Sequence, residues 1–403
     1  MRPLLSIGLL LMRMGHTVKA CVPEDYVDRF VSYGIPAVAM GAASKSFFLR
    51  YGDKIYDRTL GYYATLLSMV RETLDRQFEV VGRYIREADV VVASGYVFGA
   101  QSIAERFRLP FVHLVFAPVF FPSTATPPPG IRYVGMPGLL NRTAWSAALA
   151  VLNRAMLPHL NVRRSGLGLP KLRSVRDHFV AHLTLAIDPE LGPLPPAYTS
   201  LGFAQTAYPY FDDGSEVDPK VLGFIRDGAA PIYIGFGSAV EDGDGKVLEL
   251  VLEAVRRTGL RAIINAGIAE GARPAALTPG TLLVGQVPHR KLFPLVSAVV
   301  HHGGAGTIHT AAYAGKPQAA VVHVLDAYYL GERTHRLGLG PRPIHRRKLS
   351  SRSLSELLIA VAKTPDYLRN AQMLADTLTR RDGTSWLAQL VLDRAKNRNR
   401  GDD

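Results

Sequence analysis

Cysteine is almost absent from this 403-residue chain, which contains a single one, Cys21. One cysteine cannot form an internal disulfide, so a disulfide-stapled secreted scaffold is excluded and a reducing cytoplasm is the simplest location. The chain also lacks an apolar run of roughly eighteen residues, the length that a membrane-spanning helix requires. We therefore expect a cytoplasmic protein without a membrane span.

Acidic residues are scarce as well. The 34 Asp and Glu residues are outnumbered by 47 Lys and Arg, which leaves a formal net charge of +13. A nucleic-acid-binding chain would show basic motifs interleaved with aromatic residues, zinc-ligand spacing or a helix-turn-helix pattern, and none is present, so we expect no nucleic-acid partner. The excess charge indicates attraction to anionic substrates or peripheral contact with an anionic membrane, or it serves solubility alone.

Strand and helix patterns alternate in both halves of the chain, and a proline-rich stretch at residues 188–213 separates them. Such alternation predicts an α/β fold with parallel sheets covered by helices. We expect domains at residues 1–205 and 206–384, with a terminal helix and tail at 385–403. The predicted strands are residues 16–22, 89–94, 110–116 and 182–187 in the first half and 231–236, 261–265, 281–284, 298–301 and 318–323 in the second.

The most informative segment is residues 299–310, Val-Val-His-His-Gly-Gly-Ala-Gly-Thr-Ile-His-Thr. It predicts a buried strand, then a glycine turn, then the start of a helix. At such a junction the first N–H groups and the positive end of the helix face the space in front of the helix. The ligand that binds there is usually a phosphate. His301 ends the strand at the same place, and Thr307 can cap the helix or donate its hydroxyl.

This segment, together with Ala314-Gly315-Lys316-Pro317-Gln318 and Asp326, resembles the donor-binding box of nucleotide-sugar glycosyltransferases of the GT-B fold. The resemblance is strong from about residue 231 to residue 344. It implies two Rossmann-like domains that face each other across a cleft, with the ligand at the carboxyl ends of the strands. It also implies that the terminal helix crosses back to the first domain. The donor-binding residues implied are Gly237, Ser238, Gln286, Val287, His301, Gly303, Gly304, Ala305, Gly306, Thr307, His309, Asp326 and Ala327.

The same resemblance suggests individual roles. His301, the glycine turn and the Gly237-Ser238 loop would surround the diphosphate without a metal, and loss of His301 should weaken diphosphate binding. The backbone at Val287 would meet the uracil or thymine ring. His309 would contact ribose or phosphate, or else face a neighbouring helix. We interpret the acidic Asp-Gly-Asp at residues 242–244 as a solvated loop rather than a metal site.

Asp326 would bind sugar hydroxyls, and relatives usually carry Gln where this chain has Ala327. Because a methyl group cannot hydrogen-bond a hydroxyl, we expect either a donor sugar other than glucose, such as a deoxysugar, or weakened activity. Restoring an amide by Ala327→Gln should then shift donor preference toward a fully hydroxylated hexose.

The acceptor side has no comparable motif. Tyr96, Phe98, Phe116 and Phe120 lie at or after predicted strand ends and are candidates for an apolar acceptor pocket. The alternative, which we expect for most of them, is that they belong to the core, where most large apolar side chains lie. His113 alternates with apolar residues in a strand, and we interpret it as a buried structural histidine.

The chain opens with a helical pattern at residues 3–14, whereas a Rossmann-like domain should open with a central strand. By resemblance, that strand and a loop carrying the general base would lie just before Met1, so the catalytic base is unknown. A version of the chain that included them should be more stable and more active. The apolar residues 4–12 also look like a signal peptide, but the charged residues that follow favour the first amphipathic helix.

We therefore expect an inverting, metal-independent glycosyltransferase that moves a hexose or deoxyhexose from a UDP- or TDP-sugar to a lipophilic small molecule or lipid. No cofactor is expected. The alternatives are a catalytically impaired nucleotide-sugar-binding or activator relative, and a transferase that adds N-acetylglucosamine to a lipid-linked cell-wall precursor.

Overall fold

The computed structural model describes residues 1–41, 59–131, 135–212, 214–236, 246–265, 279–323 and 326–399. Two predicted features, the Gly237-Ser238 loop and the Asp-Gly-Asp at residues 242–244, lie outside these residues. The chain divides into a first unit, Met1–Phe211 with Asp382–Asp403, and a second unit, Asp212–Arg381. Among the described residues, no helix is both long and apolar enough to span a membrane.

The first unit contains two parallel sheets. One has the order β1-β2 and the other the order β3-β4-β5-β6. The strands β2 and β6, of three residues each, were not predicted. The six strands are β1 Ala20–Val22, β2 Ala37–Ala39, β3 Val91–Ser94, β4 Phe111–Val115, β5 Leu183–Ala186 and β6 Ala204–Thr206.

Helices pack on both faces of the four-stranded sheet, and α2 packs on the two-stranded sheet. The helices of this unit are α1 Arg2–Arg13, α2 Val27–Ser32, α3 Thr59–Tyr84, α4 Phe98–Arg106, α5 Gly138–Gly166, α6 Val175–Val180, α7 Pro196–Ser200 and α15 Gly383–Asn399, with 3₁₀ turns at Glu24–Tyr26, Ile85–Glu87 and Pro118–Phe120. Alternation along β4 divides the core, since successive side chains point to opposite faces. Val112 and Leu114 pack with α1 and α15, whereas Phe111 packs with α3 and α4.

The terminal helix α15 belongs to the first unit although it follows the second in sequence. Its Leu387 and Val391 are buried against Ile7 and Leu11 of α1. Both helices therefore contribute to one core on the same face of the sheet.

The second unit is built on a six-stranded, all-parallel sheet with the order β12-β11-β10-β7-β8-β9. The order reverses between β7 and β10, and it is this pair that forms the centre of a doubly wound sheet. The strands are β7 Ile232–Gly235, β8 Ala262–Asn265, β9 Thr281–Val284, β10 Ala298–His301, β11 Gln318–Val322 and β12 Ile344–His345.

Helices also lie on both faces of this sheet. They are α8 Pro219–Arg226, α9 Lys246–Thr258, α10 His289–Leu292, α11 Ala305–Tyr313, α12 Ala327–Arg336, α13 Ser351–Lys363 and α14 Pro365–Leu378, with 3₁₀ turns at Phe293–Leu295 and Arg346–Lys348. The apolar residues Leu248, Val251, Leu252 and Val255 of α9 recur at helical spacing and pack with α13 on the sheet.

Gly340 tests how tightly the start of β11 is packed. A Cβ at Gly340 would lie 1.8 Å from the Gln318 backbone oxygen. Because that oxygen belongs to a strand and cannot move freely, we expect Gly340→Ala to lower the free energy of unfolding of the second unit by about 2 kcal/mol or more. Chemical denaturation would measure the change.

The control is Gly223→Ala in α8, where a Cβ would meet nothing within 4 Å. There alanine should be neutral or stabilise by up to about 1 kcal/mol, because glycine is a poor helix former. Equal destabilisation by the two substitutions would contradict the packing at Gly340.

Candidate functional site

The candidate site of the second unit lies at the carboxyl ends of its strands. β10 and β7 are neighbours there, and His301 is paired in register with Gly235. At such a reversal of strand order the connecting segments leave in opposite directions, which opens a crevice where ligands bind. The loop after β7 lies outside the described residues, so the described wall of this site is formed by the segments after β9, β10 and β11.

A glycine turn joins β10 to α11. Gly303 has φ +90, in the left-handed region, and Gly304 is the N-cap residue of α11. No side chain caps this helix, and the N–H groups of Thr307 and Ile308 bond to the Gly304 carbonyl. The first N–H groups of a helix have no partner inside it, so α11 opens as an anion-binding end.

Glycine is required in this turn by close packing. A Cβ at Gly303 would lie 2.9 Å from the Ala327 methyl group, and a Cβ at Gly304 would lie 2.4 Å from Nε2 of His302. Such distances are too short for real contacts. The backbone is therefore held between a histidine ring and the start of α12.

His301 supports the turn rather than facing a ligand. Its side chain is fully buried, its Nδ1 accepts the Gly303 N–H at 3.0 Å, and its Nε2 donates to Oε1 of Gln318 at 2.9 Å. Gln318 in turn donates to the Ile308 carbonyl at 3.3 Å. Both ring nitrogens are used inside the protein, which corrects the prediction that His301 itself binds the diphosphate. Any effect of this residue on binding acts through the turn.

His309 is likewise fully buried, and its Nδ1 donates to the Ala305 carbonyl at 2.6 Å. Of the two alternatives left by the sequence, the structure favours a ring that faces the protein interior over one that contacts ribose. Burial lowers the pKa of His309 to about 4, so the ring is neutral at pH 7.

Asp326 is the N-cap residue of α12, just after β11, and burial raises the pKa of its carboxyl to about 6. The next residue, Ala327, is 4% exposed, and its methyl group packs against Gly303. The predicted sugar-binding pair therefore lies directly beside the glycine turn.

After β9, Gln286 is exposed and Val287 is partly buried against the core. A polar network that sequence reasoning missed supports this segment. The Tyr233 hydroxyl and Nε2 of His289 are 2.9 Å apart, and Asn265 donates to the Gly285 carbonyl at 3.1 Å. The available signal was that Asn265 ends a buried strand, where polar residues usually serve a site.

The first unit contains an apolar recess that is open at its mouth and offers about 40 Å³ to the centre of a water-sized sphere. It lies between α4, α5, α6 and the segment after β4. Three of the four predicted acceptor-side residues, Tyr96, Phe98 and Phe120, line it. The other lining residues are Pro122, Pro129, Trp145, Ala148, Leu149, Leu152, Val175, Arg176, Phe179 and Val180.

Phe116, the fourth predicted acceptor-side residue, does not line this recess. Its ring packs edge-on against Tyr208, at 5.8 Å between centroids, beside the α1–α15 core. His113 lies behind the recess as a buried residue, with its ring 4.9 Å from that of Phe179. Burial lowers the pKa of His113 to about 4.

An ion pair between a buried arginine and a partly exposed glutamate lies beneath the recess, and it was not predicted from the sequence. Arg164 of α5 is 1% exposed and binds both carboxylate oxygens of Glu105, at 2.6 and 2.9 Å. It also donates to the Ser102 hydroxyl at 3.3 Å, which lies 3.2 Å from Nε2 of His178 in α6. This network connects the three helices that carry the lining residues.

The fold of the second unit, with an anion-binding helix end at its strand reversal, is that of doubly wound nucleotide-binding proteins. Residues 249–388 match the family of the erythromycin biosynthesis protein CIII-like C-terminal domain. The chain is 29% identical over 399 residues to vancomycin aglycone glucosyltransferase of Amycolatopsis orientalis, which covers 97% of this chain and 94% of that protein.

It is also 30% identical over 346 residues to dTDP-epi-vancosaminyltransferase of the same organism, covering 84% of this chain and 81% of that one. The crystal structure of the glycosyltransferase VinC in complex with dTDP superposes with a TM-score of 0.68 at 16% identity, over 98% of this chain and 96% of that one. The chain therefore belongs to the UDP-glycosyltransferase superfamily, has the GT-B fold and is a glycosyltransferase.

The buried histidines predict a marked dependence of stability on pH. The pKa of each is lowered by burial from 6.5, to about 3 or about 4, so the unfolded chain binds more protons than the folded one below pH 6.5. Stability is therefore full above pH 6.5 and is lost as the pH falls. The raised pKa of Asp326 acts in the opposite direction, but it is a single carboxyl. The residues are His113, His178, His301, His302, His309 and His323.

Denaturant unfolding between pH 8 and pH 5 would measure this slope. We expect a plateau above pH 7 and a steady fall below 6.5. His309→Asn should reduce the slope, whereas replacement of the exposed His16 by Asn should leave it unchanged. A flat profile down to pH 5 would contradict the burial of these rings as neutral groups.

Proposed function

We propose that the chain transfers a hexose or deoxyhexose from a UDP- or TDP-sugar to a hydroxyl of a lipophilic small molecule or lipid, with inversion and without a metal. The observation that carries the proposal is the uncapped start of α11 behind the Gly303–Gly304 turn. Cleavage of a nucleotide sugar leaves negative charge on the diphosphate, and oriented N–H groups stabilise that charge.

The geometry supports donor binding at three neighbouring positions along the strand ends. The diphosphate would meet the N–H groups of Ala305 and Gly306 and the hydroxyl of Thr307. The pyrimidine would lie at Gln286 and Val287 after β9, and the sugar would lie near Asp326 after β11. Gly237 and Ser238, on the loop after β7, complete the proposed set. Because N–H groups supply the positive potential, no divalent cation is required.

The apolar recess of the first unit supports a lipophilic acceptor. Its walls are aromatic and aliphatic, which favours burial of an apolar body with few hydrogen bonds. None of the residues that line it is a carboxylate that could form a covalent glycosyl intermediate. A single displacement by the acceptor hydroxyl would invert the anomeric carbon.

Product analysis tests the proposal as a whole. The protein would be incubated with UDP- or TDP-hexoses and hydroxylated apolar acceptors in the presence of EDTA. We expect a glycoside of inverted anomeric configuration, resolved by NMR coupling constants. A retained configuration, or turnover only after addition of magnesium, would contradict the corresponding part of the proposal.

A glycine substitution tests whether the Gly303–Gly304 turn binds the donor. Gly303→Ala should weaken dTDP binding about tenfold or more, because φ +90 disfavours alanine and the new methyl group meets Ala327. Gly315→Ala is the matched control at the other end of α11. It too has positive φ, +62, but its contacts, at 3.5 Å, are ordinary. Calorimetry in EDTA should show near-normal affinity for the control, and equal losses in both variants would count against the turn as the binding site.

Donor preference is expected to depend on Ala327. Ala327→Gln places an amide beside Gly303 and Asp326, where it can hydrogen-bond a sugar hydroxyl. The ratio of kcat/KM for a fully hydroxylated TDP-hexose over its deoxy counterpart should rise in competition assays. Ala327→Met, of similar length without the amide, should not raise it. If both variants change the ratio alike, the effect is one of bulk rather than of hydrogen bonding.

A further inference from the structure

One lining residue of the apolar recess is charged. Arg176 stands among twelve residues that are apolar or aromatic, and no carboxylate lines the same space. The guanidinium of arginine remains charged at every physiological pH, and its planar set of donors suits carboxylate, phosphate and sulfonate groups. A lone arginine at an apolar wall is therefore suited to a ligand that carries an anion at the edge of an apolar body.

The backbone at Arg176 is held in place by its neighbours. The Val175 N–H donates to Oδ1 of Asn153 at 2.8 Å, which fixes the start of α6 on α5. The Arg176 N–H donates to the Ser174 hydroxyl at 3.1 Å. These bonds fix the first turn of α6, from which the Arg176 side chain reaches the recess that it lines.

The charged residues around Arg176 are paired or lie outside the recess. Arg163 pairs with Asp75 and Arg164 with Glu105. Lys171, Arg173 and Asp177 are exposed and do not line the recess. Arg176 is therefore the charged lining residue that a ligand in the recess would meet.

We propose that the acceptor is an anionic amphiphile, whose apolar body fills the recess while its acidic group binds Arg176. This inference rests on the proposed function, because it takes the recess as the acceptor site, and it adds the acceptor's charge. A neutral lipophile of the same shape binds more weakly.

Two dyes with a common skeleton test it on the full-length protein without nucleotide. 1-Anilinonaphthalene-8-sulfonate is anionic, and N-phenyl-1-naphthylamine lacks the sulfonate. Arg176→Gln should weaken binding of the anionic dye about tenfold and change that of the neutral dye less than about twofold. Arg176→Lys should keep part of the preference, and Arg173→Gln, which alters an exposed residue outside the recess, should keep all of it.

Ala148→Phe would fill the recess and should abolish binding of both dyes, which locates them. Competition by dodecanoic acid and by dodecyl phosphate, each against dodecanol, then distinguishes a carboxylate from a phosphate ligand. Equal losses for both dyes in Arg176→Gln, or no loss for either, would overturn the proposal, with circular dichroism showing that the variant is folded. Charge selectivity without any glycosyl transfer would instead refute the proposed function and leave the anion site standing.

Discussion

The donor-side geometry depends on one imidazole that is hydrogen-bonded on both sides. His301 accepts the N–H of Gly303 and donates to Gln318, and Gln318 donates to the first turns of α11. These hydrogen bonds hold β10, the glycine turn, β11 and α11 together. They form only with a neutral ring, because a proton on Nδ1 would face the Gly303 N–H. Burial, with the nearby His302, lowers the pKa of His301 to about 3 and so maintains that state.

The two units present different kinds of surface: one of backbone N–H groups and one of apolar side chains. The second unit presents backbone N–H groups at the start of α11, which cannot be neutralised. In the proposed function, the glycines beside them let a diphosphate approach closely. The first unit presents aromatic and aliphatic walls, and the buried Arg164 beneath them is paired with Glu105, whose side chain is 42% exposed. Loss of Glu105 would be costly, because the buried guanidinium of Arg164 would lack its partner. The pair braces the helices around the recess without lining it.

Whether the sequence predicted a feature depends on how far apart in sequence the interacting residues lie. The glycine turn of residues 303–307 was predictable, since strand, turn and helix are encoded by adjacent residues. The role of His301 was not, because it depends on Gln318, a residue of the neighbouring strand. Phe116 shows the same limit. Its place at the end of a strand was correctly inferred, but only the structure shows that its ring packs against Tyr208 rather than lining the recess.

By itself, the sequence determined the alternation of strands and helices, the parallel sheets and the glycine turn before α11, because these arise from local spacing and hydrophobic periodicity. The family was identified by the resemblance of residues 301–326 to a known donor-binding box. Only the tertiary structure decided which polar groups are already used within the protein and which face open space. It buried His309, gathered Tyr96, Phe98 and Phe120 around one recess, and placed Arg176 at its rim. The physical reason is that burial and hydrogen-bond partners come from residues distant in sequence, and no local pattern records them.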